Sequence, residues 1–219
     1  METTEGAPLP EALGPGPSLV ELLDCIVMDT ETTGFKVHDG HRLVEVATVE
    51  VHAGVPEPEG WSTLVHPGRA IPEGASVIHG ITDLMVANAP PPEAIAAGLR
   101  YRLGDRALVF HNATFDIPFL QQFFHEGEAD GLTAPVIDTL GLARSAFGSG
   151  PGAKNKLVEV CARLEMPPET AHRALGDARM TARILIVLAA WHEQHKGIRT
   201  LNELAAYSQD VIRKTSFGR

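Results

Sequence analysis

The amino-acid sequence predicts an α/β fold in which a five-stranded mixed sheet is flanked by helices. Three strand-like segments come first, and no helix-length segment separates them, which favours three antiparallel strands. Two further strand-like segments alternate with helical patterns, and this alternation is typical of parallel strands joined by crossovers. The apolar fraction of 44% in a chain of 219 residues is sufficient for a hydrophobic core.

The five strands are located by apolar and β-branched runs. Residues 23–29 are almost all apolar, which is typical of a central strand. Residues 42–51 alternate in polarity and are rich in β-branched side chains, as expected of a half-buried strand. Residues 61–67 form a third strand that ends at Pro67. The two later strands are predicted at residues 107–111 and 134–138.

Helical periodicity marks six segments after the third strand. The clearest is residues 177–193, where Met180, Ile184, Leu188 and Trp191 share one face that we expect to pack in the core. The predicted helices are residues 92–103, 115–126, 139–147, 155–165, 177–193 and 199–213.

The two ends of the chain differ from the middle in composition. We expect residues 1–18, which are rich in Pro and Gly, to form a flexible leader that is not a secretory signal, because it lacks basic and apolar regions. Residues 19–195 form the main domain, and residues 196–219 a C-terminal helix and tail. No run of about 18 apolar residues is present, so no membrane span or membrane partner is expected.

Charge and cysteine usage narrow the class of function. The net charge of −10 argues against a general nucleic-acid scaffold, which would normally be basic. It remains compatible with an enzyme that acts on phosphodiesters with the help of divalent cations. Cys25 and Cys161 are expected to be small core residues, and a reducing, cytoplasmic location follows as the default.

Asp29 and Glu31 follow the first apolar run one residue apart. Side chains alternate along a strand, so both carboxylates project from the same face. Two like charges held side by side repel, unless a cation lies between them or one of them stays protonated. Taken alone, the pair is explained more simply as a strand end that enters an acidic surface loop.

Three later residues change that interpretation. Asp116 follows the fourth strand in apolar surroundings, where an unpaired acid is costly. Asp177 stands at the head of the strongest helix, and His172 precedes it by five residues. Taken alone, Asp116 and Asp177 are explained as acids at helix starts, and His172 as a structural or solvent-facing histidine.

Together the four acids form the oxygen-rich set that Mg²⁺ or Mn²⁺ prefers. Two such ions about 4 Å apart can clamp the attacking and leaving oxygens of a phosphodiester. Histidine can accept a proton from water near neutral pH. The sequence therefore predicts hydrolysis of a phosphodiester by metal-activated water.

Three motifs of this chain resemble those of the DEDD exonucleases. They are "DTETTG" (29–34), "HNATFD" (111–116) and "HRALGD" (172–177), and they occur in the order of that family. The histidine five residues before the last Asp is typical of the DEDDh subgroup. The resemblance covers roughly residues 24–192 and is strongest to the proofreading (epsilon) subunits of bacterial DNA polymerase III. It implies a ribonuclease H-like fold and 3′→5′ removal of single nucleotides.

The resemblance also implies roles for the acids and the histidine. Asp29, Glu31, Asp116 and Asp177 are expected to be catalytic and to bind two divalent metal ions, Mg²⁺ or Mn²⁺. Asp29 would bridge both ions, Glu31 and Asp177 would complete the shell of one, and Asp116 would reach the other through water. His172 would be the general base.

A second group of residues is expected to bind the substrate. The resemblance implies that Thr32, with the backbone near Glu31, holds the terminal nucleotide, and that His79 and Asn112 line the same cleft. Phe35 and Phe115 offer a stacking face for the last base. Core packing explains the two phenylalanines equally well, and a turn before Gly80 explains His79.

Lys154 and Lys156 lie beside a Gly-rich connection before a predicted helix. Their two candidate roles are contact with substrate phosphates and simple solvation, and solvation is the simpler of the two.

Three functions remain open at this point. The first is a 3′→5′ exonuclease domain, residues 19–195, that acts on single-stranded or frayed DNA ends in proofreading or repair and partners a DNA polymerase catalytic subunit. The second is an exoribonuclease that trims RNA, which the motifs do not separate from the first. The third is a non-catalytic, polymerase-associated binding subunit. Competent residues at all five chemistry-bearing positions argue against the third.

Overall fold

The structure, a computed structural model, describes residues 16–167, 169 and 172–216. The described residues form one sheet, in the order β3-β2-β1-β5-β6, with β4 also paired to β2. The strands are β1 (Cys25–Thr32), β2 (Leu43–His52), β3 (Val55–Pro56), β4 (Trp61–Leu64), β5 (Ala107–Phe110) and β6 (Val136–Asp138).

The strand directions confirm the predicted mixed sheet. β1 is antiparallel to β2 and parallel to β5, and β5 is parallel to β6. The five predicted strands are all present in the predicted order. The structure adds β3, a two-residue strand that pairs with the end of β2.

Helices cover both faces of the sheet. They are α1 (Glu73–His79), α2 (Asp83–Val86), α3 (Pro92–Leu103), α4 (Ala113–Glu126), α5 (Thr139–Phe147), α6 (Leu157–Arg163), α7 (Ala174–Lys196) and α8 (Leu201–Ser216), with a short 3₁₀ helix at Val37–Asp39. The six predicted helices are all found, and α3 and α5 have the predicted bounds. α1 and α2 were not predicted, because their seven and four residues are too few to display a helical apolar period.

The side chains of β1 divide between two hydrophobic clusters. Cys25 and Val27 belong to the cluster that contains the apolar face of α7, whereas Ile26 and Met28 belong to the cluster that contains α4. The alternation of a strand explains this division. By the same alternation, the later odd-numbered residues of β1 face α7 and the even-numbered ones face α4.

The burial of β2 differs from the prediction. The sequence predicts a half-buried strand at residues 42–51, but residues 43–49 of β2 are all buried. The reason is that β2 is covered on both faces: Ala47 and Val49 pack in the α7 cluster, and Leu43 and Val46 pack in the α4 cluster. Burial on both faces also encloses Glu45, an acid of this segment whose role is described with the active site.

The last helix is integrated into the domain. α8 packs against α5 and β6, and it buries Leu204, Ser208 and Ile212. A Cβ atom at Gly141 of α5 would lie 2.3 Å from the carbonyl oxygen of Ser208, so the two helices are in direct backbone contact. The helix predicted at residues 199–213 is α8, which begins two residues later and ends three residues later than predicted.

The outermost parts of the expected leader and tail, residues 1–15 and 217–219, lie outside the described residues. At the start of the described part, the Ser18 hydroxyl donates to Glu21 at 2.8 Å. Among the described helices, none combines the length and the apolar character that a membrane crossing requires.

Candidate active site

Asp29 and Glu31 lie within β1, because this strand continues three residues beyond the predicted end at residue 29. Both project from the face that packs against α7. In the register with β2, Asp29 lies opposite Ala47 and Glu31 lies opposite Glu45. The first two acids therefore stand side by side on a rigid strand.

α7 brings the third acid to them. This helix begins at Ala174, three residues earlier than predicted, so Asp177 lies in its first turn. One carboxylate oxygen from each of Asp29, Glu31 and Asp177 lies within 4.8 Å of the other two. Residues 146 positions apart in the chain thus form one carboxylate cluster, which we call the three-acid cluster.

Asp116 stands in the first turn of α4 and is buried, with 4% of its surface exposed. The Thr30 hydroxyl donates a hydrogen bond of 2.7 Å to its Oδ1 atom. Thr30 is the residue after Asp29 and faces α4, so this bond fixes the fourth acid beside the strand that carries the first two.

A buried carboxylate that the sequence analysis did not single out fixes the start of α4. The backbone N–H groups of Asn112 and Ala113 donate to the two oxygens of Asp138, at 3.0 and 2.9 Å. Asn112 has a left-handed backbone, with φ of 78°. Asp138 at the end of β6 thereby sets the position from which α4 delivers Asp116. Its signal in the sequence is an acid that ends a short apolar strand.

The environment of the acids raises their pKa values. Burial, and then the neighbouring charges of Asp177, Glu45 and Asp116, raise the pKa of Glu31 to about 8. Burial also raises the pKa of Asp29. Repulsion by the neighbouring acids adds to this rise, and the charge of Asp116 contributes most among them.

The other two acids show the same trend. Burial raises the pKa of Asp116 to about 7, against the opposing effect of the Thr30 hydrogen bond. Burial raises the pKa of Asp177 to about 6, and the adjacent His172 opposes this rise. In the absence of a cation, protons would therefore occupy part of the site at neutral pH.

The donor set fits a divalent cation. Within the part of the chain that the structure describes, none of the four carboxylates forms an ion pair with a lysine or arginine. Closely spaced carboxylate oxygens without a basic partner are ligands that Mg²⁺ and Mn²⁺ prefer. A cation there would also offset the repulsion that contributes to the raised pKa values of Asp29 and Glu31.

A second feature that the sequence analysis missed is the ion pair of Glu45 and Arg173. Glu45 is 2% exposed, and its two oxygens accept from Arg173 at 2.6 and 3.1 Å. The same carboxylate accepts from the backbone N–H of Ala174 at 3.0 Å. The pair anchors the start of α7 to β2. Its signal in the sequence is an acid inside an otherwise apolar strand.

His172 lies directly before this anchor. Its side chain is exposed, its backbone is left-handed with φ of 59°, and its N–H donates to Asp177 Oδ1 at 3.3 Å. The adjoining residues 170 and 171 lie outside the described part of the chain. The backbone of His172 therefore contacts Asp177, one member of the three-acid cluster.

A cleft of about 300 Å³ adjoins the acids. It is lined by Glu31, Thr32, Phe35, His79 and Phe115, among others. Phe35 is 77% exposed, whereas Phe115 is half-buried and lies 5.4 Å from the ring of Phe119. We call this concavity the nucleotide cleft, after the terminal nucleotide that its residues are predicted to hold. It brings together four of the five residues expected to contact substrate.

His79 has a structural reason for its position in the cleft. It is buried, its Nδ1 accepts from the N–H of Ile81 at 3.0 Å, and its Nε2 lies 3.3 Å from the carbonyl oxygen of Thr32. Burial lowers the pKa of His79, so the ring is neutral at pH 7 and donates from Nε2. His79 therefore holds the backbone at the end of β1.

Asn112 does not line the nucleotide cleft with His79, as the sequence analysis expected. Its backbone is held by Asp138, and it lines a separate groove beside α5.

This chain is similar to several known proteins. A family model described as "Exonuclease" (RNase_T) matches residues 26–185. The DNA polymerase III subunit epsilon of Rickettsia felis is 34% identical over 169 residues, which are 74% of this chain and 72% of the relative. The protein of the same name from Aquifex aeolicus is 35% identical over 162 residues, 74% of this chain and 78% of the relative.

One relative is much longer than this chain. A DNA polymerase III subunit epsilon-like protein of Rhodobacter capsulatus is 34% identical over 172 residues, which are 77% of this chain but 24% of that protein. The chain thus spans about a quarter of the length of that relative.

Solved structures show the same fold. Exonuclease X in complex with 5′ overhanging duplex DNA has a TM-score of 0.65 and 29% identity, and the match covers 84% of this chain and 99% of that one. The nuclease domain of 3′hExo, a DEDDh family member bound to rAMP, has a TM-score of 0.62 and 19% identity, and it covers 75% of this chain and 90% of that one.

Proposed function

Because this chain belongs to the exonuclease (RNase_T) family, we propose that it removes single nucleotides from the 3′ ends of single-stranded or frayed DNA, in proofreading or repair. The observation that carries the proposal is the three-acid cluster, with oxygens within 4.8 Å of one another beside the buried Asp116. The relatives named as polymerase III epsilon subunits and the DNA-bound Exonuclease X support DNA as the substrate.

Each acid has a proposed role. Asp29, Glu31 and Asp177 would hold divalent cations, Mg²⁺ or Mn²⁺, through their clustered oxygens, and Asp116 would complete the set from α4. Bound divalent ions activate water and stabilise the charge that develops on the phosphate and the leaving oxygen. The raised pKa values of these acids mean that cations displace protons when they bind.

His172 acts as the general base in this proposal. Its imidazole accepts the proton of the attacking water, the water oxygen bonds to phosphorus, and the bond from phosphorus to O3′ of the preceding nucleotide breaks. The released O3′ takes a proton from solvent and becomes a hydroxyl. The product is a nucleoside 5′-monophosphate. The exposed side chain suits this task because a base must reach solvent to release its proton.

The nucleotide cleft holds the terminal nucleotide. Thr32 and the backbone that His79 fixes contact the sugar and phosphate, and Phe35 and Phe115 flank the base. The exposed ring of Phe35 is free to stack on a base, which is worth about 1–3 kcal/mol in single-strand recognition.

One assay tests the proposal. The purified protein with Mg²⁺ or Mn²⁺ is offered 5′-labelled single-stranded DNA and RNA of the same sequence. We expect stepwise shortening of the DNA from its 3′ end, release of mononucleotides, and resistance of circular or 3′-phosphorylated DNA. Preferential degradation of RNA would make the chain an exoribonuclease, and absence of cleavage with either ion would leave only a binding role.

We also propose a DNA polymerase catalytic subunit as partner, which the names of the relatives support. Co-elution of this chain with the replicative polymerase subunit of the same genome in size-exclusion chromatography tests that partner.

A further inference from the structure

A second concavity of about 980 Å³ begins at Asn112, passes α5 and reaches the C-terminal end of α8. Its lining includes Asn112, Arg144, Lys156, Lys214 and Thr215, together with the Gly-rich segment 149–153. We call it the α5–α8 groove. It is distinct from the nucleotide cleft, with which it shares no lining residue.

The groove is positively charged in a chain whose net charge is −10. Its lining contains Arg144, Lys156 and Lys214 but a single carboxylate, Glu159. That carboxylate accepts the backbone N–H of Lys156 at 2.9 Å, where it caps α6. The side chain of Lys156 is exposed to solvent.

The end of α8 adds to this surplus of positive charge. Asp210 forms ion pairs with both Arg213 and Lys214, so two cations share one carboxylate. The side chain of Lys214 is 72% exposed, and a polyanion can therefore contact it without first uncovering it.

Hydrogen bonds fix the walls of the groove. Arg144 of α5 donates to the Thr215 hydroxyl of α8 at 2.9 Å, which joins the two helices along the groove. On the other side, His111 Nε2 lies 2.9 Å from the carbonyl oxygen of Asn155, so the Gly-rich side is tied to the end of β5. Burial lowers the pKa of His111 to about 4, so the neutral ring donates this bond at pH 7.

The groove opens next to the reaction centre. Asn112 lines the groove and directly precedes α4, whose first turn carries Asp116. A strand whose last nucleotide occupies the nucleotide cleft must continue past the acids, and the α5–α8 groove offers a basic path from that point. Fixed cations at such a surface neutralise backbone phosphates without regard to sequence.

We propose that the α5–α8 groove binds the phosphate backbone of the single strand behind the terminal nucleotide, through Lys156 and Lys214. The inference rests on the proposed exonuclease function and names the part of the substrate that this groove holds. One wall, α8, lies beyond residues 26–185 that match the family model, so Lys214 comes from outside the match, whereas Lys156 lies within it.

The test separates short from long substrates. The double variant Lys156→Gln/Lys214→Gln is compared with the wild type on the p-nitrophenyl ester of thymidine 5′-monophosphate, which fills only the nucleotide cleft, and on a 12-nucleotide single strand. We expect kcat/KM to fall about tenfold for the strand at low salt, mainly through KM, and to stay unchanged for the ester. Loss of two phosphate contacts should also reduce the slope of log KM against log salt concentration by about 1.4.

The matched control is Lys196→Gln, an exposed lysine at the last residue of α7, whereas Asp177 lies in the first turn of that helix. It should leave both substrates unaffected. An unchanged KM and salt slope for the strand in the double variant would overturn the groove proposal, and so would an equal loss on both substrates. A wild type that cleaves neither substrate would refute the exonuclease function itself.

Discussion

At the scale of single residues, the site is a set of carboxylates kept close together at a cost in free energy. Asp29 and Glu31 project from one face of β1, and Asp177 and Asp116 approach from two helices. Burial raises the pKa values of all four acids, and repulsion from other acids of the set adds to the rise for Asp29 and Glu31. A fold retains such an arrangement when a bound cation removes the repulsion.

Replacement of Asp29 by alanine should abolish exonuclease activity and most of the cation binding at the site. Asp29 shares the three-acid cluster with Glu31 and Asp177, and the charges of Asp116, Asp177 and Glu31 all raise its pKa, so a cation held by the set would contact it. The variant should stay folded and should be more stable than the wild type without metal, because one source of repulsion is removed. Calorimetric titration with Mn²⁺ measures the binding, and wild-type two-ion binding in the variant would contradict this central role.

Replacement of His172 by alanine should lower turnover by about 10²–10⁴, the usual cost of removing a general base. Cation affinity should barely change, because it rests on the carboxylates. The control is His195→Ala, an exposed histidine stacked on Trp191 at the far end of α7. Near wild-type turnover of His172→Ala at neutral pH would assign the base role to solvent.

At the scale of elements, two carboxylates outside the proposed cation site fix the helices that carry its acids. Asp138 fixes the start of α4, and Glu45 fixes the start of α7 through Arg173 and the N–H of Ala174. Both acids end or interrupt apolar strands, so their burial follows from how the layers pack. That packing depends on contacts between distant segments, which local sequence patterns do not contain.

The same reasoning explains which parts of the fold the sequence could predict. The long amphipathic helix α7 and the apolar strand β1 carry their period in adjacent residues, and both were predicted. The helices α1 and α2 end within seven residues and show no period. The burial of β2 was missed because it is imposed by α4 and α7 together. The three motifs predicted the acids of the site, but their positioning partners became visible only in three dimensions.

The Glu45–Arg173 pair gives a prediction at this scale. Glu45→Gln should lower kcat by about 10²-fold, because the start of α7 and the His172 loop lose their anchor and reacting groups are misplaced by about 1 Å. Arg173→Gln should have a similar effect. The kcat of the double variant should be little lower than that of either single variant, since both changes remove the same ion pair. Steady-state kinetics of the three variants measures this, and fully additive losses would show that the two residues act separately.

At the scale of the whole molecule, the raised pKa values couple stability to pH and to metal. An acid whose pKa is raised on folding binds more protons in the folded state, so its contribution to stability is lost as pH rises through the folded pKa. The buried histidines oppose this below pH 6.5, because the pKa values of His79, His111 and His192 are lowered on folding. Above pH 6.5 the carboxylates alone remain, with values of about 8 for Glu31 and about 7 for Asp116.

The metal-free protein should therefore become less stable between pH 6.5 and 8.5. A difference of one bound proton corresponds to about 1.4 kcal/mol per pH unit, which is about 3–6 °C in melting temperature at this chain length. Saturating Mg²⁺ or Mn²⁺ should raise the melting temperature and flatten its pH dependence, since the cation binds the folded state and displaces the protons. Thermal melts in chelator and in metal, with Asp29→Ala as the comparison, measure both effects. Without metal, the melting temperature of Asp29→Ala should depend less on pH than that of the wild type. A rise in the melting temperature of the metal-free wild type over this pH range would contradict the link between these acids and stability.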